Sequence, residues 1–285
     1  MQNEPLVSVI MNCYNGEEYL CDAIDSVINQ TYKNWEIIFW DNQSTDRSAK
    51  IFKGYNDKRL KYYLAPSHAN ILYEARNYAL KKVNGDFIAF LDVDDWWVKS
   101  KLHKQVKVFL KDQTVDVLYS NIYIYNERKK TNKIFIKGKL SHGKLAQKLI
   151  NKFEMPILST IIKRSVFNKI KFDDRYSIIG DLDFFVRLSL IKNIAAIQEP
   201  LAYYRVHDSN LTKKRADLTI KELESWVSEK SKNKDFKLIN FSKIYKLIKI
   251  LKTKENIVSG NKLKALIEIL KRPFLFLPLI KNKFS

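Results

Sequence analysis

Phe87-Ile88-Ala89-Phe90-Leu91-Asp92-Val93-Asp94-Asp95 is the stretch that decides the fold. Five apolar residues in succession have the length of a strand buried on both faces. The run passes directly into three carboxylates within four residues. Toward the N-terminus the same grammar appears twice more. Leu6-Val7-Ser8-Val9-Ile10-Met11 leads into Asn12 to Gly16, and Glu36 to Trp40 leads into Asp41 and Asn42. Between these runs, Tyr19, Leu20, Ala23, Ile24, Val27 and Ile28 recur at helical spacing. Ser44-Thr45-Asp46 offers N-cap chemistry to a helix through Lys53, Lys61–Leu64 reads as a short strand, and Ile71–Val83 as a helix. Alternating strands and helices predict a parallel sheet with helices on both faces. Ligands of such sheets gather at the carboxyl ends of the strands. Asn12 and Tyr14, Asp41 and Asn42, and Asp92, Asp94 and Asp95 are thereby assigned to one cleft.

The second half is less regular. Strands are expected at Val115–Tyr125, Ile134–Ile136, Ser159–Ile162 and Ile194–Tyr204, and helices at 143–151, 165–170 and 181–192. From about residue 215 the chain turns Lys-rich and helical. Ile244, Leu247, Ile248 and Leu251 lie on one helical face among Lys243, Lys246, Lys249 and Lys252. A second such helix follows Gly260, and then Pro273-Phe274-Leu275-Phe276-Leu277-Pro278.

With 46% hydrophobic and 13% aromatic residues, the 285-residue chain has the composition of a folded protein and excludes a disordered one. No stretch reaches the roughly 18–20 apolar residues that span a bilayer, and Met1-Gln2-Asn3-Glu4-Pro5, with no basic region leading into an apolar one, is not expected to begin a signal peptide. Cys13 and Cys21 lack metal-ligand spacing and make no disulfide framework, so a cytoplasmic setting is expected. The net charge of +20 is uneven: residues 213–285 hold 19 Lys/Arg against 7 Asp/Glu. That asymmetry calls for an anionic surface, either nucleic acid or the inner face of a membrane.

Crowded carboxylates at a strand end repel one another unless a cation neutralises them. Oxygen ligands there suit Mn²⁺ or Mg²⁺ bridging a diphosphate. Alone, the same run reads equally as a solvated turn capping the next helix. It is joined, in order, by Val7–Asn15, Gln30-Thr31-Tyr32, Asp41-Asn42-Gln43-Ser44-Thr45-Asp46 and Ala75-Arg76-Asn77. This set closely resembles the family 2 glycosyltransferases of the GT-A fold, over residues 6–111 and more weakly to about 212. The resemblance implies a Rossmann-like, mostly parallel central sheet flanked by helices. The GT-A catalytic domain would span 1–214 (nucleotide-binding half 1–111, acceptor-binding half 112–214), with a basic amphipathic helical extension over 215–285.

By the same resemblance, Asn12, Tyr14, Asp41, Asn42, Arg76, Asp92 and Val93 line the donor nucleotide. Asp94 is the expected ligand of the metal holding the diphosphate, and Asp95 lies near the donor sugar. The chain departs from the family at Asn42, where an acid is usual and where an amide both donates and accepts. It departs again at Ser67–Ile71, where a Gly-rich run is usual. In Gly180-Asp181-Leu182-Asp183-Phe184-Phe185-Val186-Arg187, Asp181 falls at the general-base position and Gly180 where Glu is usual. The alternative is that Asp181 caps a helix while Asp183 pairs with Arg187. His207, in Tyr203-Tyr204-Arg205-Val206-His207, falls where many members carry a diphosphate contact or metal ligand.

The resemblance therefore implies an inverting, metal-dependent transfer of a sugar from a nucleotide-diphosphate donor, UDP first, to a glycan or lipid-linked acceptor. Residues 236–285 are expected to dock peripherally on an anionic membrane, or alternatively to pack on the protein; a homo-oligomer stays open. A nucleic-acid-binding protein is the rival reading, but it leaves Asp92, Asp94 and Asp95 unexplained, and no nucleic acid is expected as a partner. A nucleotidyltransferase would want a Gly-rich, basic loop after the first strand, which Asn12–Gly16 does not provide.

Overall fold

The computed structural model describes residues 4–210 and 215–258, which divide into two compact units after Asp208. In the first, β1 (Val7–Cys13), β2 (Trp35–Asp41), β3 (Leu60–Leu64) and β4 (Phe87–Phe90) run parallel. They continue through β8 (Ile161–Lys163), β6 (Val117–Asn126), β9 (Ile194–Val206) and β5 (Trp96–Trp97). The nine-stranded sheet has the order β3-β2-β1-β4-β8-β6-β9-β5, with β7 (Thr131–Ile134) hairpinned onto β6.

The apolar runs become strands because both faces are covered. Val7, Val9, Met11 and Cys13 point toward α1 (Leu20–Ile28), α2 (Ser48–Lys53) and α4 (Lys101–Lys111), in one core with Leu20, Ile24, Phe52, Leu102 and Phe109. On the other face, Phe90 meets Phe172 edge-on at 5.5 Å, and Phe172 stacks on Phe184 at 4.3 Å. Phe184 belongs to α6 (Gly180–Ile191), while α3 (Leu72–Leu80) covers β1 and β2. The N-cap of α2 is Arg47, which makes no side-chain cap; Asp46, one residue earlier, accepts from the Ser48 amide at 2.9 Å, so the expected cap falls one position early.

Strand register sets up the site. Asn12 sits opposite Trp40, and Cys13 opposite Asp41. The carboxyl ends of β1, β2 and β4 therefore finish together. The chain then enters β5, which pairs antiparallel with β9 through Trp96↔Tyr203. This crossing brings a segment of the second half, ending at His207, beside Asp92–Asp95. The long parallel β6–β9 pair is irregular at Asn121. Its amide bonds the backbone of Ile122 and Ile136 and fills the gap in the ladder.

Local expectations needed three adjustments. The segment expected to be helical at 165–170 is a 3₁₀ helix over Arg164–Asn168, too short to favour the wider α turn. The strand expected at 134–136 is β7, ending at Ile134, because the Ile136 amide donates to the Asn121 side chain instead. The expected helix at 143–151 is shorter, α5 (Ala146–Asn151).

In the second unit, α7 (Ala216–Lys230) and α8 (Ser242–Val258) pack together. Trp226 is fully buried and meets Phe236 and Phe241 edge-on. On α8, Ile244 and Ile248 are buried while Leu247 is exposed, so the expected apolar face is narrower than its spacing suggested. Among the described residues no helix is long and apolar enough to cross a membrane. The helix expected after Gly260 and the Phe274–Leu277 stretch lie outside the described residues.

Candidate active site

Arg76 organises the floor of the cleft. It lies on α3, is 2% exposed, and divides its guanidinium between two carboxylates from distant parts of the chain. Nη2 donates to Asp92 Oδ1 at 2.7 Å and Nη1 to Asp181 Oδ1 at 2.8 Å. A planar fork suits two acceptors in a way that an ammonium does not. Asp181 is in the first turn of α6, whose N-terminal boundary is Ile179; Asp181 does not cap it. Burial raises the Asp181 pKa above the ordinary carboxylate value, and the Arg76 charge opposes that rise. Asp183, the neighbouring acid, pairs with Arg187 at 2.6 Å and leaves Asp181 as the carboxylate facing the cleft residues.

Gly180 explains one sequence peculiarity. A Cβ there would lie 2.4 Å from the Tyr73 ring, so the aromatic ring fills the space in which a side chain at 180 would stand. Gly16 is similar: its Cβ would meet Val93 Cγ2 at 2.6 Å, which fixes the first loop against the acidic motif.

Asp94 and His207 converge. Asp94 Oδ2 and His207 Nε2 are 2.9 Å apart. Burial raises the Asp94 pKa, the neighbouring Asp92 charge adds to this, and His207 opposes it. Asp95 is 1% exposed; Oδ1 accepts from the Arg205 amide at 2.8 Å, while buried Oδ2 meets no donor among the described residues. Burial, followed by the charges of Asp94 and Asp92, pushes its pKa well above the usual range.

The residue that sequence reasoning missed is Arg205. Its amide holds Asp95 and its Nε donates to the Asp94 carbonyl at 2.9 Å. Nη1 and Nη2 pair with Glu127 and Asp22 at 2.6 Å each. The guanidinium also lies 4.4 Å from the Tyr19 ring centre and 4.5 Å from that of Trp96. A clue was present: two residues before His207 on a strand is the same face.

The expected nucleotide residues fall into two groups. Asn12 is 9% exposed, and neither its amide nitrogen nor its oxygen has a hydrogen-bond partner among the described residues. Tyr14 is 53% exposed, with its ring 4.4 Å from that of His68. Asp41 and Asn42 are buried and occupied. Asp41 accepts from the Ser44 amide at 2.8 Å and from the Tyr62 hydroxyl at 2.6 Å. The Asn42 amide bonds both backbone groups of Ala69. Val93 packs at Gly16 beside these residues.

The donor chemistry fits a divalent cation. Asp92 and Asp181 share Arg76, Arg205 is already paired with Asp22 and Glu127, and Asp94 has His207 beside it, so a cation entering here would relieve crowding among the carboxylates. Asp94 Oδ2 and His207 Nε2, 2.9 Å apart and in direct contact, are an oxygen and a nitrogen of the kinds that Mn²⁺ accepts. Among the described residues, no group of three or more His, Cys, Asp or Glu side chains is arranged to hold a metal. Asp94 and His207 are therefore a pair whose chemistry fits a cation, with no third protein group of this kind beside them among the described residues.

An α/β sheet with this acidic strand end matches one family model, glycosyl transferase family 2, over residues 8–172. The chain belongs to that family. This glycosyltransferase is 34% identical over 194 residues to the UDP-Glc:alpha-D-GlcNAc-diphosphoundecaprenol beta-1,3-glucosyltransferase WfgD of Escherichia coli, covering 67% of the chain and 73% of WfgD. To WfaP of the same organism, which carries the same enzymatic name, it is 31% identical over 210 residues, covering 73% and 80%. Among solved structures, Staphylococcus aureus TarS 1-349 in complex with UDP-GlcNAc superposes with a TM-score of 0.62 at 18% identity, covering 88% of this chain and 72% of that one. The mannosyltransferase PcManGT of Pyrobaculum calidifontis, in complex with GDP-Man and Mn²⁺, gives 0.62 at 15% identity, covering 96% and 83%. The glycosyltransferase has the GT-A fold. Asp181 and His207 lie beyond the residues matched by the family model.

Proposed function

We propose that this glycosyltransferase moves a sugar from a nucleotide-diphosphate donor, UDP first, onto a hydroxyl of a lipid-linked saccharide or glycan, with inversion at the anomeric carbon. The observation that carries this reading is the convergence of Asp92 and Asp181 on Arg76, with Asp94 and His207 at 2.9 Å nearby. WfgD and WfaP, whose names give UDP-Glc as donor and a diphosphoundecaprenol-linked GlcNAc as acceptor, support the substrate class. The UDP-GlcNAc and GDP-Man complexes of TarS and PcManGT support a nucleotide sugar.

In this reading Asn12, Tyr14, Asp41, Asn42, Val93 and Asp92 surround the nucleotide, and Asp95, itself buried, lies near the donor sugar; Arg76, expected beside the nucleotide, is buried and acts from the floor through Asp92 and Asp181. Asp41 acts through the loop it holds, since both of its oxygens are engaged. The Asp181 carboxylate takes the acceptor hydroxyl's proton as that oxygen attacks the anomeric carbon. The bond from that carbon to the diphosphate oxygen breaks in line, and the electron pair leaves with the nucleoside diphosphate. Arg76 keeps Asp181 oriented and prevents it from repelling Asp92. Asp94 and His207 would hold Mn²⁺ or Mg²⁺, which would supply positive charge to the departing diphosphate.

Residues 236–285 are proposed as the surface that brings the enzyme to an anionic membrane bearing such an acceptor. Five lysines against one glutamate on α8, with Tyr245 and Leu247 exposed, support this. The testing experiment is thermal shift with UDP-, GDP-, CMP- and dTDP-sugars, with and without Mn²⁺. Stabilisation by one nucleotide diphosphate that needs metal and disappears in Asp94→Ala supports the reading. No stabilisation by any donor, together with tight, salt-sensitive DNA binding, overturns it.

A further inference from the structure

Two contacts made by one dipeptide carry an inference about how the donor enters. Asn42 Nδ2 donates to the Ala69 carbonyl at 2.8 Å, and the Ala69 amide donates to Asn42 Oδ1 at 2.9 Å. This cyclic pair matches one N–H and one C=O on an amide edge, the pattern that a nucleobase edge also presents. The preceding residue, His68, lays its imidazole against Tyr14 with ring centres 4.4 Å apart and planes tilted by 57°. His68 Nδ1 is 2.9 Å from the Asn42 carbonyl oxygen.

An aromatic ring on Tyr14 and an amide edge on Asn42 are also what a nucleobase would offer the same two side chains. We propose that His68-Ala69 is an internal stand-in for the nucleobase, and that the donor base enters by displacing it. The inference rests on Tyr14 and Asn42 forming the base pocket.

The local construction allows such an exchange. Pro66, Ser67, His68 and Asn70 are exposed, so the segment leaves without opening a core. It is anchored at one end by Ala65, whose amide donates to the Asp41 carbonyl at 2.8 Å, and continues at the other into α3. Only the pairing with Asn42 and Tyr14 has to be given up, and the incoming base restores both. At the ends of the same two strands, the Asn12 amide and the Trp40 indole N–H, neighbours across β1 and β2, have no partner among the described residues. Buried polar atoms without partners are costly, and a bound ligand that reached them would remove that cost. His68 and Ala69 thereby tune donor affinity: the free enzyme is competent only in the fraction of time the segment is out, and the apparent dissociation constant rises in proportion.

The test measures the dissociation constant and association rate of UDP, with GDP in parallel, on the full chain in the presence of Mn²⁺. His68→Ala removes the ring from Tyr14, and Ala69→Pro removes the N–H that Asn42 Oδ1 accepts. Both positions are on an exposed loop, and an unchanged melting temperature without nucleotide certifies the fold. The expected result is tighter binding in both variants, about 3- to 10-fold, with a faster association rate. Unchanged or weaker binding in both would make the loop a fixed wall of the site and overturn the proposal. Tyr14→Ala and Asn42→Ala separate the two layers of argument: each is expected to weaken binding about tenfold. If both bind like the parent, the base pocket is elsewhere and the functional reading of these residues fails with the proposal. If they weaken while the loop variants do not tighten, only the proposal fails.

Discussion

His207 Nε2 and Asp94 Oδ2 stand 2.9 Å apart although 113 residues separate them in the chain. The link is made by β5, which folds back from the acidic motif onto β9 through Trp96↔Tyr203. Once those tryptophans pair with β9, the end of that strand has to pass beside Asp94. Asp94→Asn and His207→Ala are each expected to abolish Mn²⁺-dependent stabilisation by the donor and to lower kcat by about 100-fold or more. Mn²⁺ titration followed by electron paramagnetic resonance checks the first effect independently of turnover. Wild-type Mn²⁺ affinity in both variants would remove the pair from the metal site.

Asp181 is the predicted base, and its environment fixes the sense of the pH dependence. Burial places its pKa above the ordinary carboxylate value, with Arg76 pulling the other way. The base must be ionised to act, so kcat should fall as pH drops through that raised pKa. Asp181→Asn is expected to reduce kcat by about 10²- to 10⁴-fold while nucleotide affinity stays near that of the parent. Arg76→Lys keeps one charge but loses the fork, and should move the acidic limb of the kcat profile upward. An acidic limb unmoved in Arg76→Lys would show that Asp181 is not the titrating group.

What the sequence disclosed and what it hid follow from the range of the interactions. Asp92 and Asp94 were legible because strand and carboxylates are contiguous, and Asp183–Arg187 because i,i+4 spacing is local. The parallel direction of β1, β2 and β4 followed from strand–helix alternation. The insertion of β8 between β4 and β6 did not, because β8 comes later in the chain than both. The role of Arg205 depends on Asp22, Glu127 and Asp95 arriving from three other segments. The occupation of Asn42 by Ala69 was hidden for a related reason: a loop without periodicity carries no pattern that predicts its path.

Arg205 bears on the site by holding the acidic loop, through Asp95 and the Asp94 carbonyl. Arg205→Lys retains a positive charge and cannot simultaneously serve Asp22, Glu127 and the Asp94 carbonyl. The acidic loop should then sit less firmly, with Mn²⁺ affinity falling about 10- to 100-fold. Calorimetric titration of Mn²⁺ in the presence of UDP measures this. A purely structural role would lower the melting temperature and leave metal affinity in the folded fraction unchanged.

Lys101 gives a prediction far from the chemistry. It is fully buried in α4, donates to Gln105 Oε1 at 2.7 Å and lies 4.0 Å from the Trp97 ring centre. Burial drives its pKa well below the ordinary value. Between that lowered pKa and the ordinary value of about 10.4, the unfolded chain holds a proton that the folded chain has shed. The unfolded state then binds more protons, so this residue makes stability rise with pH across the window, by about 1.4 kcal/mol per pH unit. Lys101→Met removes the titrating group while keeping a long side chain beside Trp97. Urea unfolding at a series of pH values should show a shallower rise for the variant than for the parent, the two curves separating most at the acidic side of the window. Parallel curves would mean that Lys101 stays protonated in the folded protein, stabilised by Gln105, Thr160 and the Trp97 ring.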